Sequence, residues 1–285
     1  MRLGGPAPLR DSNPGTWISE LDRRAYSAAV FPVDHTAPPE LVRGLAAAAD
    51  AAGIVIAEVG AWSNPISADE DQRQEAVTFC QNQLALADSV GARCCVNIAG
   101  SRGGVWDGPH PDNLTPQTFD LIVETTREII DAVRPTRTFF ALETMPWIYP
   151  DSPESYLRLV RAIDRDRFAV HLDPVNLVCS PQRYFGNDDL IRDCFRMLGP
   201  YIRSCHAKDI TLATKLTVHL EEVRPGLGAL DYAVFLRELS RLDPDTPLIL
   251  EHLSDAEEYS AAAGYIRGVA AKEGVTFVES QSASG

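Results

Sequence analysis

Four side chains of types that can bind divalent cations each close an apolar, strand-like run in the second half of this chain: Glu143, Asp173, His206 and Glu251. The runs are Phe139-Phe140-Ala141-Leu142-Glu143, Phe168-Ala169-Val170-His171-Leu172-Asp173, Tyr201-Ile202-Arg203-Ser204-Cys205-His206 and Pro247-Leu248-Ile249-Leu250-Glu251. Their spacings are 173−143 = 30, 206−173 = 33 and 251−206 = 45 residues, near the roughly 30 or more residues of one strand-helix-strand unit. Hard divalent cations prefer carboxylate oxygen, and an imidazole shifts the preference toward Mn²⁺, Co²⁺, Fe²⁺ or Zn²⁺ over Mg²⁺. Three carboxylates and one histidine therefore predict a single divalent ion, Mn²⁺ first. Four protein ligands leave two adjacent positions of a six-coordinate sphere for a sugar's carbonyl and neighbouring hydroxyl, where the ion would stabilise an enediolate.

These residues need a scaffold that brings successive strand ends together. Eight apolar segments, near 1–5, 25–32, 54–60, 93–99, 138–143, 168–173, 202–206 and 247–252, alternate with helical patterns at 38–52, 69–90, 115–133, 152–163, 188–198, 230–242 and 255–272. Such alternation predicts parallel strands joined by crossover helices. Ser152-Pro153 and Thr115-Pro116 read as caps followed by first-turn prolines, and Gly53, Gly91 and Gly274 read as helix stops. The resulting polarity puts all four candidate ligands at carboxyl ends of strands, the face on which barrel active sites are built. Gly4-Gly5-Pro6 lacks the G-x-G-x-x-G form expected after the first strand of a doubly wound sheet. The expectation is a single-domain (β/α)₈ TIM barrel over residues 1–279, with 280–285 as a disordered tail.

A chain of 285 residues suits one such barrel. Its net charge of −14 argues against nucleic acid as a partner. The amino terminus lacks the apolar core of a signal peptide, and no run reaches the roughly 18 apolar residues of a membrane span. The expectation is a soluble cytoplasmic protein that takes a small-molecule sugar, as a homo-oligomer or with a partner subunit. Six cysteines without paired C-x-x-C spacing read as small buried thiols.

Other residues fall around the expected site. Glu58 closes the third apolar segment, where a carboxylate would hydrogen-bond substrate hydroxyls. Alternation puts His171 on the face of Asp173 one layer deeper, as a partner beneath the ligands. His252 should point outward from Glu251. The loop 100–110 combines glycines with Arg102, Trp106 and His110, a composition suited to a lid that stacks on a sugar. Trp147, Tyr149 and Tyr184 follow metal strands as pocket or capping residues. Lys208 is either a surface charge or an acid at the substrate.

The chain resembles the xylose-isomerase-like barrels, which include sugar phosphate isomerases and epimerases, inosose dehydratases and the metal-dependent apurinic-site endonucleases (AP endonuclease family 2). The resemblance spans essentially the whole chain and rests on Ala141-Leu142-Glu143-Thr144, His171-Leu172-Asp173-Pro174, Cys205-His206-Ala207-Lys208-Asp209, Gly226-Leu227-Gly228-Ala229-Leu230-Asp231-Tyr232 and Leu250-Glu251-His252. It implies that Glu143, Asp173, His206 and Glu251 bind the metal and that Glu143 and Glu251 also act as the acid/base pair. Epimerases of the family carry a histidine three residues after the aspartate and an arginine six after the metal histidine; here those positions are Asn176 and Leu212. The His206-x-Lys208-Asp209 form is similar to the dehydratase and isomerase branches, which makes Lys208 a catalytic candidate and Asn176 a substrate contact. The leading expectation is a metal-dependent sugar isomerase or epimerase. A lyase that dehydrates an inosose or cleaves a 3-keto-glycoside is the runner-up, and a non-catalytic sugar-binding barrel comes third.

Overall fold

All eight apolar segments yield strands, and these close into one parallel barrel. The computed structural model describes residues 1–280. Its elements are β1 (Arg2–Gly5), α1 (Pro14–Arg23), β2 (Ala28–Val30), α2 (Pro39–Ala51), β3 (Val55–Gly60), α3 (Glu70–Val90), β4 (Cys94–Asn97), α4 (Pro116–Val133), β5 (Phe140–Glu143), α5 (Pro153–Ile163), β6 (Phe168–Leu172), α6 (Pro181–Phe185), α7 (Asn187–Leu198), β7 (Ile202–Ala207), β8 (Asp209–Leu212), β9 (Leu220–Val223), α8 (Tyr232–Leu239), β10 (Pro247–Leu250) and α9 (Ala256–Glu273). The strand order around the barrel is β1-β10-β7-β6-β5-β4-β3-β2. This is the expected single-domain (β/α)₈ fold. None of the described helices is long and apolar enough to cross a membrane.

The caps act as their residue types require. The Ser152 hydroxyl accepts from Ser155 N–H in a reciprocal capping box with Pro153 in the first turn, and Thr115 accepts from Thr118 N–H ahead of Pro116. Gly91 and Gly274 end α3 and α9 with φ of 69° and 68°. Period-two alternation then sorts the strand side chains. Ala141, Ala169, Cys94 and Val96 form a small cluster of their own. Ala141 lies two residues before Glu143 and Ala169 two before His171, so small residues floor the barrel beneath the charged layer. The main core lies between sheet and helices and contains Trp17, Leu84, Ile122, Tyr156 and Phe235.

Four local expectations are corrected. Helix α1 has no counterpart among the expected helices; Asn13 caps it and only Trp17 and Leu21 are buried, too few apolar positions to make a readable stripe. Strand β2 is shorter than 25–32 because Tyr26 N–H donates to Leu21 O in closing α1, so that segment is not available for pairing. Ser280, expected to open a disordered tail at 280–285, is instead buried with its hydroxyl 3.3 Å from Asp22 Oδ1, and 281–285 lie outside the described residues. Cys179 is exposed, unlike the other five cysteines, because it sits in the loop after β6 rather than in an apolar run.

The polar stretch 211–228 lies between β7 and α8. It contains the antiparallel hairpin β8–β9, held from below by Asp209. That carboxylate accepts from the N–H groups of Ile210 and Leu230 through Oδ1, both at 2.9 Å, and from Gly226 and Gly228 through Oδ2, at 2.9 and 3.1 Å. A Cβ at Gly228 would stand 2.2 Å from Asp209 Oδ1, and Gly226 has φ of 96°, so both glycines are required for this close approach. Asp209→Ala would leave four N–H groups without their acceptor. It is expected to cost at least about 3 kcal/mol in urea unfolding, since hydrogen bonds to a charged group contribute about 1.5–3 kcal/mol each. A loss below about 1 kcal/mol would mean that the hairpin is held by other contacts.

Candidate metal centre

The four strand-end residues converge. Ligand atoms of Glu143, Asp173, His206 and Glu251 all lie within 4.8 Å of one another. Glu143 ends β5, Asp173 follows β6, His206 stands in β7 and Glu251 follows β10. Register aligns them: Glu143 pairs with His171, and Ile249, two residues before Glu251, pairs with His206. His206 Nδ1 is 3.0 Å from Glu143 Oε1 and 2.9 Å from Glu251 Oε1. Adjacent ligands about 2.1 Å from an octahedral ion are separated by about 3.0 Å, so these edges fit such an ion.

The remaining lone pairs fit as well. Asp173 Oδ1 is taken by the Val175 N–H at 2.9 Å, while Oδ2 is buried and accepts no aligned hydrogen bond. Glu251 Oε1 is in the same position. Lys208 is the cation among them. Its Nζ lies 2.5 Å from Glu251 Oε1, 2.9 Å from Asp173 Oδ2 and 3.7 Å from Glu143 Oε1, close but not aligned for hydrogen bonding to the first two. Burial pushes the Asp173 carboxyl up to about 6 despite Lys208. Burial also opposes ionisation of Glu251, yet His206 and Lys208 hold it well below the usual carboxylate range. Burial works against the His206 and Lys208 cations too, and the surrounding carboxylates outweigh it, raising both.

Beneath this layer, His206 Nε2 lies 3.4 Å from Glu58 Oε1. His171 is fully buried with Nδ1 3.6 Å from Glu58 Oε2, and its ring meets the His206 ring edge-on at 4.1 Å. Glu58, His171 and His206 thus form a second buried group under the first. Burial and the His206 charge hold His171 well below the ordinary histidine value.

Above the centre opens a cavity of about 600 Å³, whose walls include Glu58, Trp62, Trp106, Glu143, Trp147, Asn176, Lys208, Glu222, Glu251 and His252. Asn176 Nδ2 donates to Glu143 Oε1 at 3.1 Å and to Thr144 O at 3.0 Å. Trp147 Nε1 donates to Asp107 O at 2.7 Å, tying two rim loops together. A larger hollow of about 790 Å³ at the opposite end of the barrel holds none of the expected site residues.

Two expected contacts stand apart from the cavity. Arg102 turns its guanidinium to the backbone carbonyls of Ile66 and Ser67, at 2.5 and 3.1 Å. His110 Nδ1 instead accepts from Asp112 N–H at the start of the turn Pro111–Leu114. Their loop is braced by the Ser101 hydroxyl on Gly108 O and by Asn113, which the glycine-rich composition did not convey. Tyr149 bonds Leu114 O and Tyr184 packs on Phe185, both as capping residues. Lys208 is buried at 3% exposure, so the surface-charge alternative is corrected. His252 does not point away: at φ of 56° it turns toward the cavity, with Nδ1 3.1 Å from Glu222 Oε1. Trp62, Glu222 and Tyr259 are wall residues the sequence reading missed. Trp62 carried a usable signal, a tryptophan two residues past the end of β3.

The fold is a closed (β/α)₈ barrel that carries at its strand ends a cluster of carboxylates and a histidine that could hold a metal ion. The chain belongs to the Xylose isomerase-like TIM barrel family, matched over residues 23–277. No curated protein matches its sequence. Among solved structures it is similar to endonuclease IV from Thermus thermophilus (TM-score 0.73, 15% identity, covering 95% of this chain and 100% of that one). It is also similar to D-psicose 3-epimerase from Clostridium cellulolyticum, with D-tagatose (0.69, 14%, 97% and 100%). A third is the probable 3-DHS dehydratase AsbF of petrobactin synthesis from Bacillus anthracis (0.69, 15%, 94% and 98%). At these identities the likeness is one of fold.

The centre makes a quantitative expectation. Chelator-treated protein titrated with Mn²⁺ should take up about one ion per chain, and at about 100 times the dissociation constant the ion should add about 2.7 kcal/mol of stability. Glu143→Gln should weaken binding at least about tenfold; undiminished binding removes Glu143 from the ligand set.

Proposed function

We propose that this protein is a divalent-metal sugar isomerase or epimerase acting on a keto sugar or sugar derivative. The observation that carries the reading is the convergence of three carboxylates and a histidine at the floor of the 600 Å³ cavity, with Glu143 and Glu251 also in its wall. An ion held by Glu143, Asp173, His206 and Glu251, Mn²⁺ by its donor set, would polarise a substrate carbonyl and stabilise an enediolate. Glu143 and Glu251 are the groups that take and return the proton on the carbon beside that carbonyl. Asn176 orients Glu143 through its amide, and the Lys208 ammonium offers a positive partner to substrate oxygens. Trp62, Trp106 and Trp147 give the sugar ring apolar faces and exclude water from the developing charge. The substrate is a small molecule, and the net charge of −14 does not suit nucleic acid.

A specific observation favours a lyase as the second reading. Asn176 and Lys208 share one wall, with Nζ 3.5 Å from Asn176 Oδ1. An ammonium there is a suitable acid for a leaving hydroxide or alkoxide, so the same proton abstraction would end in β-elimination. The solved structures with this fold include both an epimerase and a dehydratase.

Incubation of metal-loaded protein in D₂O with a panel of free, phosphorylated and 3-keto sugars separates the readings. Deuterium beside the carbonyl together with a labelled isomer or epimer supports the isomerase. Loss of water or of an aglycone supports the lyase. Absence of exchange across the panel with a filled centre would leave a sugar-binding barrel. Glu251→Gln should slow exchange by about 10²–10⁴-fold, the usual span for a general acid or base.

A further inference from the structure

The Lys208 side chain stands where the ligand set would hold its ion. We propose that the Lys208 ammonium is a tethered cation that occupies the carboxylate cage in place of the divalent ion, so that the two are alternative occupants and metal entry displaces the lysine toward Glu222. The inference rests on the metal-centre reading above. Three of the four ligands are its carboxylate neighbours: Nζ is 2.5 Å from Glu251 Oε1, 2.9 Å from Asp173 Oδ2 and 3.7 Å from Glu143 Oε1. The first two are the oxygens that lack an aligned hydrogen bond, so they are the ones an ion would claim.

Simple geometry bounds the conflict. An ion about 2.1 Å from Glu251 Oε1 cannot lie more than about 4.6 Å from Nζ while the lysine keeps its 2.5 Å contact. Two cations that close in a buried site repel strongly. Only the side chain is free to respond. The Lys208 backbone sits between β7 and β8, and its carbonyl accepts from the buried Tyr232 hydroxyl at 2.7 Å. The flexible four-carbon stem can swing. Glu222 on β9, with Oε2 3.8 Å from Nζ, is the carboxylate near the ammonium that lies outside the ligand set, and it is partly solvated.

Such a lysine would keep the cage assembled before metal arrives, by neutralising carboxylates that would otherwise repel one another. It would also weaken metal binding, because only the fraction of molecules with the lysine withdrawn is competent. Mn²⁺ titration calorimetry on chelator-stripped wild type, Lys208→Met and Lys208→Gln tests this. Both variants are expected to bind Mn²⁺ at least about tenfold more tightly than wild type, corresponding to a competent fraction of about one in ten or less. Their metal-free melting temperatures should fall and should recover in saturating Mn²⁺, a readout that serves even if the metal-free variants are partly unfolded. Glu222→Gln should weaken Mn²⁺ binding more in the wild-type background than in Lys208→Met. Equal or weaker binding by the lysine variants, with wild type binding one ion, overturns the competition and leaves the metal centre standing. Failure of wild type and both variants to bind Mn²⁺ overturns the metal centre and the competition together.

Discussion

The mouth of this barrel gathers like charges that would not stay together in water-poor surroundings without compensation. Glu143, Asp173 and Glu251 are largely withdrawn from solvent, with Glu58 just beneath. A buried, unpaired carboxylate is costly, and several in contact are more so. The structure answers with two cationic groups from one strand and its extension, His206 and Lys208. The orientation of each remaining side chain at the site follows from serving this cluster: Asn176 braces Glu143, the Val175 N–H fixes one oxygen of Asp173, and Glu58 approaches the far nitrogen of His206.

Holding the cluster requires that its supports be rigid. The barrel supplies this through register, since neighbouring strands share a fixed offset and a one-residue slip would turn a ligand outward. Small residues under the charged layer allow the strands to close tightly there. Tyr156 reinforces the same region from outside, its hydroxyl bonding the carbonyls of Leu142 and Ala169 and accepting from His171 N–H. Asp209 does the corresponding work for the hairpin. By fixing the backbone after β7 it delivers Glu222 and presents a wall to the cavity that the eight-stranded barrel alone would lack.

The positions that depart from the epimerase pattern cluster on that same side. Asn176 leaves a neutral amide where the relatives resembled in sequence carry an imidazole. Leu212 ends β8, paired with Leu220, so the hairpin contributes an apolar residue where an arginine would add charge. Lys208 is then the cation of this wall, and the tryptophans provide its apolar counterpart. On the proposed reading, substrate choice would rest on ring stacking and on the Lys208 ammonium rather than on an arginine clamp.

The sequence by itself determined the barrel and the four acidic and histidine side chains at its strand ends, because each of these depends on local periodicity. Apolar runs of strand length, helix caps at Thr115 and Ser152, and a polar atom closing each run are visible without knowing what lies across the barrel. Local signals do not report where a side chain turns once it has alternatives. Arg102 found backbone carbonyls in its own neighbourhood, His252 turned to the cavity rim through a left-handed backbone angle, and the stretch 211–228 folded into a hairpin because Asp209 could reach four N–H groups at once. The placement of Lys208 is the clearest instance. Two residues beyond a ligand it had equal claim to solvent or substrate, and only closure of the barrel, by setting Asp173 and Glu251 on either neighbouring strand of β7, drew its charge into the cage.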